Sequence, residues 1–137
     1  GYFCDFDRNF AFGSLTSDVE RVNEILWKAT EAGIKAAVPG ATTLDIFNTM
    51  NKIIEEGGAL GNNVGRLGHG LGLQLTEPPS HRLEEETVIK ENMVLTIEPG
   101  MEYEKDKMLV HEENIVIHKD GAELITKRAP REIPIIK

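Results

Sequence analysis

The chain has a single cysteine, Cys4. No internal disulfide framework is possible, and a reducing, cytoplasmic setting is the default expectation. The charge of neighbouring Asp5 opposes thiolate formation, so Cys4 reads as a small buried hydrophobe rather than a nucleophile. Cations are scarce as well: 15 Lys and Arg stand against 23 Asp and Glu, a net charge of −8. A nucleic-acid partner held through its phosphates needs a basic face, and this composition argues against one. No apolar run approaches the roughly 18 residues of a membrane helix, so no membrane partner is expected. Neither a signal peptide nor an initiator Met is present; the chain starts Gly1-Tyr2-Phe3, already in a strand-like pattern. It reads as a piece of a longer sequence.

What is present suits a globular protein. Of 137 residues, 40% are hydrophobic and 28% charged, and one domain over 1–137 has enough chain for a real core. Residues 1–12 are rich in aromatics (Tyr2, Phe3, Phe6, Phe10, Phe12) and read as strand material ending at Gly13. Ser17 and Glu20 form a Ser-x-x-Glu capping box. Val19, Val22, Ile25, Leu26, Ala29, Ala32 and Ala36 follow at helical spacing, and the helix stops before Pro39-Gly40. Trp27 on this helix reads as packing. A second helix starts near Thr42 or Thr43, turns Leu44, Phe47, Met50, Asn51 and Ile54 inward, and ends at Gly57-Gly58.

From Gly61 the texture changes. Short apolar runs at Leu71–Leu75, Met93–Ile97, Leu109–Val110 and Ile115–Ile117 read as antiparallel strands, with a last one beginning at Leu124-Ile125. Turns are expected at Glu77-Pro78-Pro79-Ser80, Pro99-Gly100 and Lys119-Asp120-Gly121. Residues 128–137, spaced by prolines, are expected to lie extended on the surface. The economical architecture is α+β, with helices on one face of a curved antiparallel sheet.

Four side chains stand out as potential metal ligands. His69 lies in Gly68-His-Gly-Leu-Gly72, where glycines leave room for a strand, a metal or a substrate to approach. Glu98 closes the apolar run Met93–Ile97 and precedes Pro99-Gly100; a carboxylate there is costly unless paired or metal-bound. Glu112 precedes the strand at 114–117, and alternation puts it with Val110 on one face, with His111 and Glu113 on the other. Asp5 shares a strand face with Asp7, a pairing that suits a divalent ion. One imidazole and three carboxylates form a mostly hard set, compatible with Mn, Co, Fe or Zn. His69 in a glycine-rich run also resembles a phosphate loop, but no helix follows it.

Taken in order, Gly-Tyr-x-x-Asp5-x-x-Arg8, Gly-His69-Gly-x-Gly, Thr-x-Glu98-Pro-Gly and the acidic start of the last long strand resemble the pita-bread metallopeptidases. That group holds methionine aminopeptidases, Xaa-Pro aminopeptidases, prolidases and non-peptidase relatives. The resemblance implies a pita-bread (creatinase/aminopeptidase-like) fold, of which this chain is the C-terminal part of the catalytic domain. It implies two divalent ions in the intact parent, with Asp5, His69, Glu98 and Glu112 (or, one residue on, Glu113) as ligands. Glu98 would double as general base in hydrolysis of the amide bond after the first residue of a peptide. A further aspartate would precede Gly1, leaving four of five ligands here and little activity in this chain alone. Where peptidases of the group carry a histidine seven residues after the ligand histidine, this chain has Thr76, which takes that catalytic position with one hydroxyl and no charge. Val110 replaces an arginine of prolidase-like members. These departures admit a non-peptidase relative acting on a small molecule (a dimethylsulfoniopropionate lyase or an ectoine hydrolase), or a non-catalytic domain of the same fold. Apolar surface that an upstream layer would cover leads to the expectation of a homodimer.

Overall fold

The computed structural model describes residues 1–61 and 65–137. Two helices, α1 (Ser17–Ala36) and α2 (Thr43–Glu56), pack on each other, and α1 also touches strands β4 (Val94–Ile97), β5 (Gly100–Glu104), β6 (Lys107–Val110) and β8 (Gly121–Leu124). The main sheet has the order β3-β2-β4-β7-β8, with β2 at His69–Gly70, β3 at Glu77–Ser80 and β7 at Glu113–His118. Its pairings are antiparallel. β5 and β6 form a hairpin. β1 (Ala11–Phe12) pairs in parallel with β9 (Ile135–Ile136).

Strand alternation decides where the core and the polar cluster go. On β4 and β7, Leu95, Ile97, Ile115 and Ile117 are fully buried in the core with Leu26, Ile46, Met50 and Ile54 of the helices. Each such side chain contributes roughly 1.5–3 kcal/mol. The intervening residue Thr96, and Asn114 opposite it in register, therefore lie on the other face of the sheet. Glu98 and Glu112 continue that second face just beyond the strand ends.

Several local expectations are corrected. The cap of α1 is Thr16, whose hydroxyl accepts from the Val19 N–H at 3.4 Å; Ser17 is already helical. α1 buries Asn23 and Thr30 among its apolar residues, because Asn23 finds His111 and the Arg131 carbonyl, and Thr30 donates to the Leu26 carbonyl. α2 begins as expected, with Thr42 and Asp45 making a full capping box. Leu71–Leu75 is not a strand: the Glu77 carboxylate takes the Gln74 N–H at 2.7 Å and holds the segment in bends that expose Leu73 and Leu75. Conversely, Glu77–Ser80 is a strand rather than a turn. It lies at the sheet edge, where prolines with no N–H to donate are tolerated.

The chain ends also differ from expectation. In residues 1–12 only Ala11–Phe12 is regular strand; the rest is held by side chains, among them Asn9 donating to the Val110 carbonyl at 2.8 Å. Cys4 is exposed, not buried, because this segment lies over the sheet instead of within it. Residues 128–137 are only partly superficial. The Arg128 guanidinium stacks over Trp27, and Ile133 is buried.

Gly33 marks the tightest helix contact. A Cβ there would lie 2.6 Å from Met50 Sδ and 2.9 Å from Ile97 Cγ2, so α1, α2 and β4 close on a position with no side chain. Gly33→Val is expected to destabilise the chain by about 1–3 kcal/mol through overpacking, read as a lower urea midpoint at unchanged m-value.

Candidate metal centre

His69 is delivered by a backbone that only glycines permit. Gly68 has φ 133°, and a Cβ on it would meet the Thr96 carbonyl oxygen at 2.3 Å; one on Gly70 would meet the Pro78 oxygen at 2.6 Å. The close approach anticipated around this histidine is thus that of neighbouring strands. Nδ1 of His69 bonds the Gly70 carbonyl at 2.8 Å, which makes Nδ1 the protonated nitrogen and leaves the Nε2 lone pair free. The His69 N–H donates to Thr96 Oγ1 at 3.0 Å.

Around Nε2 stand three carboxylates: Asp5 Oδ2 at 3.7 Å, Glu98 Oε2 at 3.8 Å and Glu112 Oε1 at 3.8 Å. Ligand atoms each ~2.1 Å from one ion stand roughly 3–4 Å apart, so these spacings fit a shared cation. The chemistry of the atoms agrees. Glu98 Oε2 and Glu112 Oε1 are buried and have no hydrogen-bond partner, and both face Nε2. An oxygen left in that state is costly unless a cation takes it. Two carboxylates ~4 Å apart repel by about 4 kcal/mol at an effective dielectric constant of ~20. Accordingly Glu112 is pushed up to about 8 by burial and by Glu98, Asp5 and Asp7, against a Thr96 hydrogen bond that lowers it. Glu98 is raised by burial and by the same aspartates, with Arg66 opposing.

Of the two adjacent acids, Glu112 is the one that faces His69. Glu113 faces away from His69 and is bound by Arg8 (2.9 Å), Arg128 (3.1 Å), the Thr126 hydroxyl (2.6 Å) and the Ala129 N–H (2.8 Å). Asp5 reaches the centre without strand pairing. Its N–H donates to Asn114 Oδ1 at 3.0 Å, and the Asn114 amide donates back to its carbonyl. Arg8 Nη1 donates both to the Asp7 carbonyl (2.8 Å) and to the Glu112 carbonyl (2.9 Å), stitching the first segment to the entry of β7.

Other residues fall differently. Thr76 is exposed on the bends before β3, and among the described residues its side chain has no hydrogen bond. His81 is fully buried behind Thr96, 3.1 Å from its carbonyl, and burial pushes it down to about 4; it is no substitute at the Thr76 position. Asp7, noted in the sequence only as the neighbour of Asp5 on a face, joins Glu98 and Glu112 in a second group whose ligand atoms lie within 4.8 Å of one another. Thr96 and Asn114 were not legible as site residues. The signal for both was their place opposite Leu95, Ile97 and Ile115 in strand alternation.

The raised carboxyls make a pH prediction. Glu112 rises from 4.5 to about 8 on folding, so a metal-free chain holds a proton that the unfolded chain has released between those values. Stability then falls as pH rises through this window. His81 and His111, both near 4 through burial, act in the opposite sense but only below about 6.5. In chelator, Tm is therefore expected to fall between pH 7 and 8.5, and Glu112→Gln to flatten that slope.

Comparison with known proteins places this geometry. The metallopeptidase family M24 model matches residues 1–120. The chain is 35% identical over 136 residues to the putative dipeptidase YkvY of Bacillus subtilis, covering 99% of this chain and 37% of that one. It is 35% identical over 126 residues to the Xaa-Pro dipeptidase of Pyrococcus furiosus, covering 92% and 36%. Among solved structures, dipeptidase PepE from Mycobacterium ulcerans superposes with TM-score 0.90 at 27% identity over 98% of this chain and 36% of that one. The prolidase from Pyrococcus furiosus gives 0.88 at 34% identity over 94% and 38%. The chain spans little more than a third of the length of these relatives (36–38%). Its helices and antiparallel sheet are part of the pita-bread fold, and the chain belongs to metallopeptidase family M24.

Proposed function

We propose that this chain is the C-terminal portion of the catalytic domain of a metal-dependent hydrolase that cuts the amide bond after the first residue of a peptide. The observation that carries this is the free Nε2 of His69 meeting orphaned buried oxygens of Glu98 and Glu112, with Asp5 closing the group. Relatives named Xaa-Pro dipeptidase and prolidase support the substrate class. Asp5, His69, Glu98 and Glu112 would hold the metal, and the oxygen-rich set favours manganese among Mn, Co, Fe and Zn. When bound, a divalent ion supplies Lewis acidity that makes water nucleophilic near neutral pH and polarises a carbonyl.

The chain's own residues do the rest. The hydrogen bond from Nδ1 to Gly70 fixes the His69 ring, and Thr96 holds both the His69 N–H and the Glu112 carboxylate. Glu98, a carboxyl raised by burial, accepts a proton from water and returns it to the leaving amine. Thr76 would offer a substrate one hydroxyl hydrogen bond but no charge. Its exposure and its free hydroxyl favour, as a second reading, a small-molecule amide or related substrate in place of a peptide. A cytoplasmic location and a homodimer belong to the same proposal. No helix among the described residues is long and apolar enough to cross a membrane.

The test is hydrolysis of Xaa-Pro dipeptides with and without chelator, on this chain and on longer forms that contain it. Glu98→Gln is expected to lower kcat by roughly 10²–10⁴-fold, the usual span for a general base. Activity that survives both the substitution and chelation would refute a metal-assisted hydrolase. Turnover of small amides but not of dipeptides would favour the second reading.

A further inference from the structure

His81 is fully buried, and the hydrolytic reading above gives it no part. Its Nε2 lies 3.1 Å from the Thr96 carbonyl oxygen. A carbonyl only accepts, so Nε2 carries a proton. Nδ1 is buried and has no hydrogen-bond partner among the described residues. For packing alone an apolar side chain would fill this place without an unpaired nitrogen, whose burial is costly. What an imidazole adds here is its one hydrogen bond to Thr96.

The Thr96 carbonyl has another natural donor. Gly70 stands opposite Leu95, and the Leu71 N–H donates to the Val94 carbonyl at 3.3 Å. Carried two residues back, this antiparallel ladder would put the His69 N–H on the Thr96 carbonyl. The structure departs from the ladder at that rung. The His69 N–H goes instead to the Thr96 hydroxyl at 3.0 Å, and the His81 ring takes the carbonyl. The hydroxyl thus accepts from His69 and keeps its own proton for the Glu112 carboxylate. Backbone bonds on both sides of Gly68 hold the ring in place. The His81 N–H donates to the Gly68 carbonyl at 2.9 Å, and the His81 carbonyl accepts from the Leu67 N–H at 2.8 Å. Gly68 leaves the room, since a Cβ there would lie 2.7 Å from His81 Cδ2.

We propose that His81 is a positioning residue for the metal centre: by occupying the Thr96 carbonyl it directs the His69 N–H to the Thr96 hydroxyl, which in turn orients both His69 and Glu112. The proposal rests on the metal-centre reading given above. Without the imidazole, the His69 N–H regains the ladder carbonyl, and the hydroxyl loses the partner that fixes its direction. His69 and Glu112 then keep their places in the sequence of the fold but lose their common support.

The experiment is Mn(II) affinity by calorimetry on the unsubstituted chain, His81→Leu, His81→Asn, His81→Gln, Thr96→Val and the double variant of His81→Leu with Thr96→Val, with circular dichroism to check folding. The Gln amide nitrogen reaches the place of Nε2, whereas the shorter Asn amide does not. His81→Leu and His81→Asn are expected to weaken Mn(II) binding ~10–100-fold, the span of a group supporting a ligand. His81→Gln should restore most of that affinity. The double variant should bind no more weakly than Thr96→Val alone, because both changes break one relay. Unchanged affinity in His81→Leu and His81→Asn, no recovery in His81→Gln, or additive losses with Thr96→Val each overturn the role of His81 while leaving the His69 centre standing. An unsubstituted chain that binds no Mn(II) overturns the centre and this inference with it.

Discussion

The structure depends on gathering three carboxylates against one buried imidazole. Asp5, Glu98 and Glu112 each bring an oxygen within 3.8 Å of His69 Nε2. Without a cation this is unfavourable, as the raised Glu98 and Glu112 carboxyls attest. A fold that holds such an arrangement must fix each side chain by contacts that do not use its ligand atoms. The hydrogen bonds around the cluster have that character: Nδ1 of His69 goes to Gly70, the backbone of Asp5 to Asn114, and the carbonyl of Glu112 to Arg8.

Glu112 and Glu113 show how two adjacent carboxylates acquire opposite electrostatics. Burial raises both. For Glu113 the Thr126 hydroxyl, the Ala129 N–H, Arg128 and Arg8 outweigh that penalty and hold the carboxyl low. For Glu112 the neighbours are acids, and the carboxyl goes up. The strand places them on opposite faces, so one residue of register separates a carboxylate held by two arginines from one whose buried oxygen has no hydrogen-bond partner. Glu113 also ties distant parts of the chain together, because Arg8 comes from the first segment and Arg128, itself bonded to Glu31, from the last.

The helices and the central strands were legible because their periodicities are strong. The core residues Leu26, Met50 and Ile54, and Leu95, Ile97, Ile115 and Ile117, follow 3.6- and 2-residue spacing and are buried. The family was legible because glycine-flanked His69 and strand-end Glu98 are unusual local settings in a fixed order. Tertiary contacts carried what was missed. The edge strand with Pro78 and Pro79 looks like a turn locally, and only its position beside β2 makes it a strand. The first ten residues look like a strand, but Arg8, Asn9 and Asn114 replace ladder hydrogen bonds with side-chain ones. Buried Asn23 looks like a surface residue until its partners arrive, His111 from 88 positions away and the Arg131 carbonyl from 108.

The most direct test of the central claim is anomalous diffraction from crystals of the chain soaked in Mn(II). The account predicts a peak enclosed by His69 Nε2, Asp5 Oδ2, Glu98 Oε2 and Glu112 Oε1. Full Mn(II) loading with the peak elsewhere, or a map with no peak while Glu98 and Glu112 remain buried and unpartnered, would contradict it.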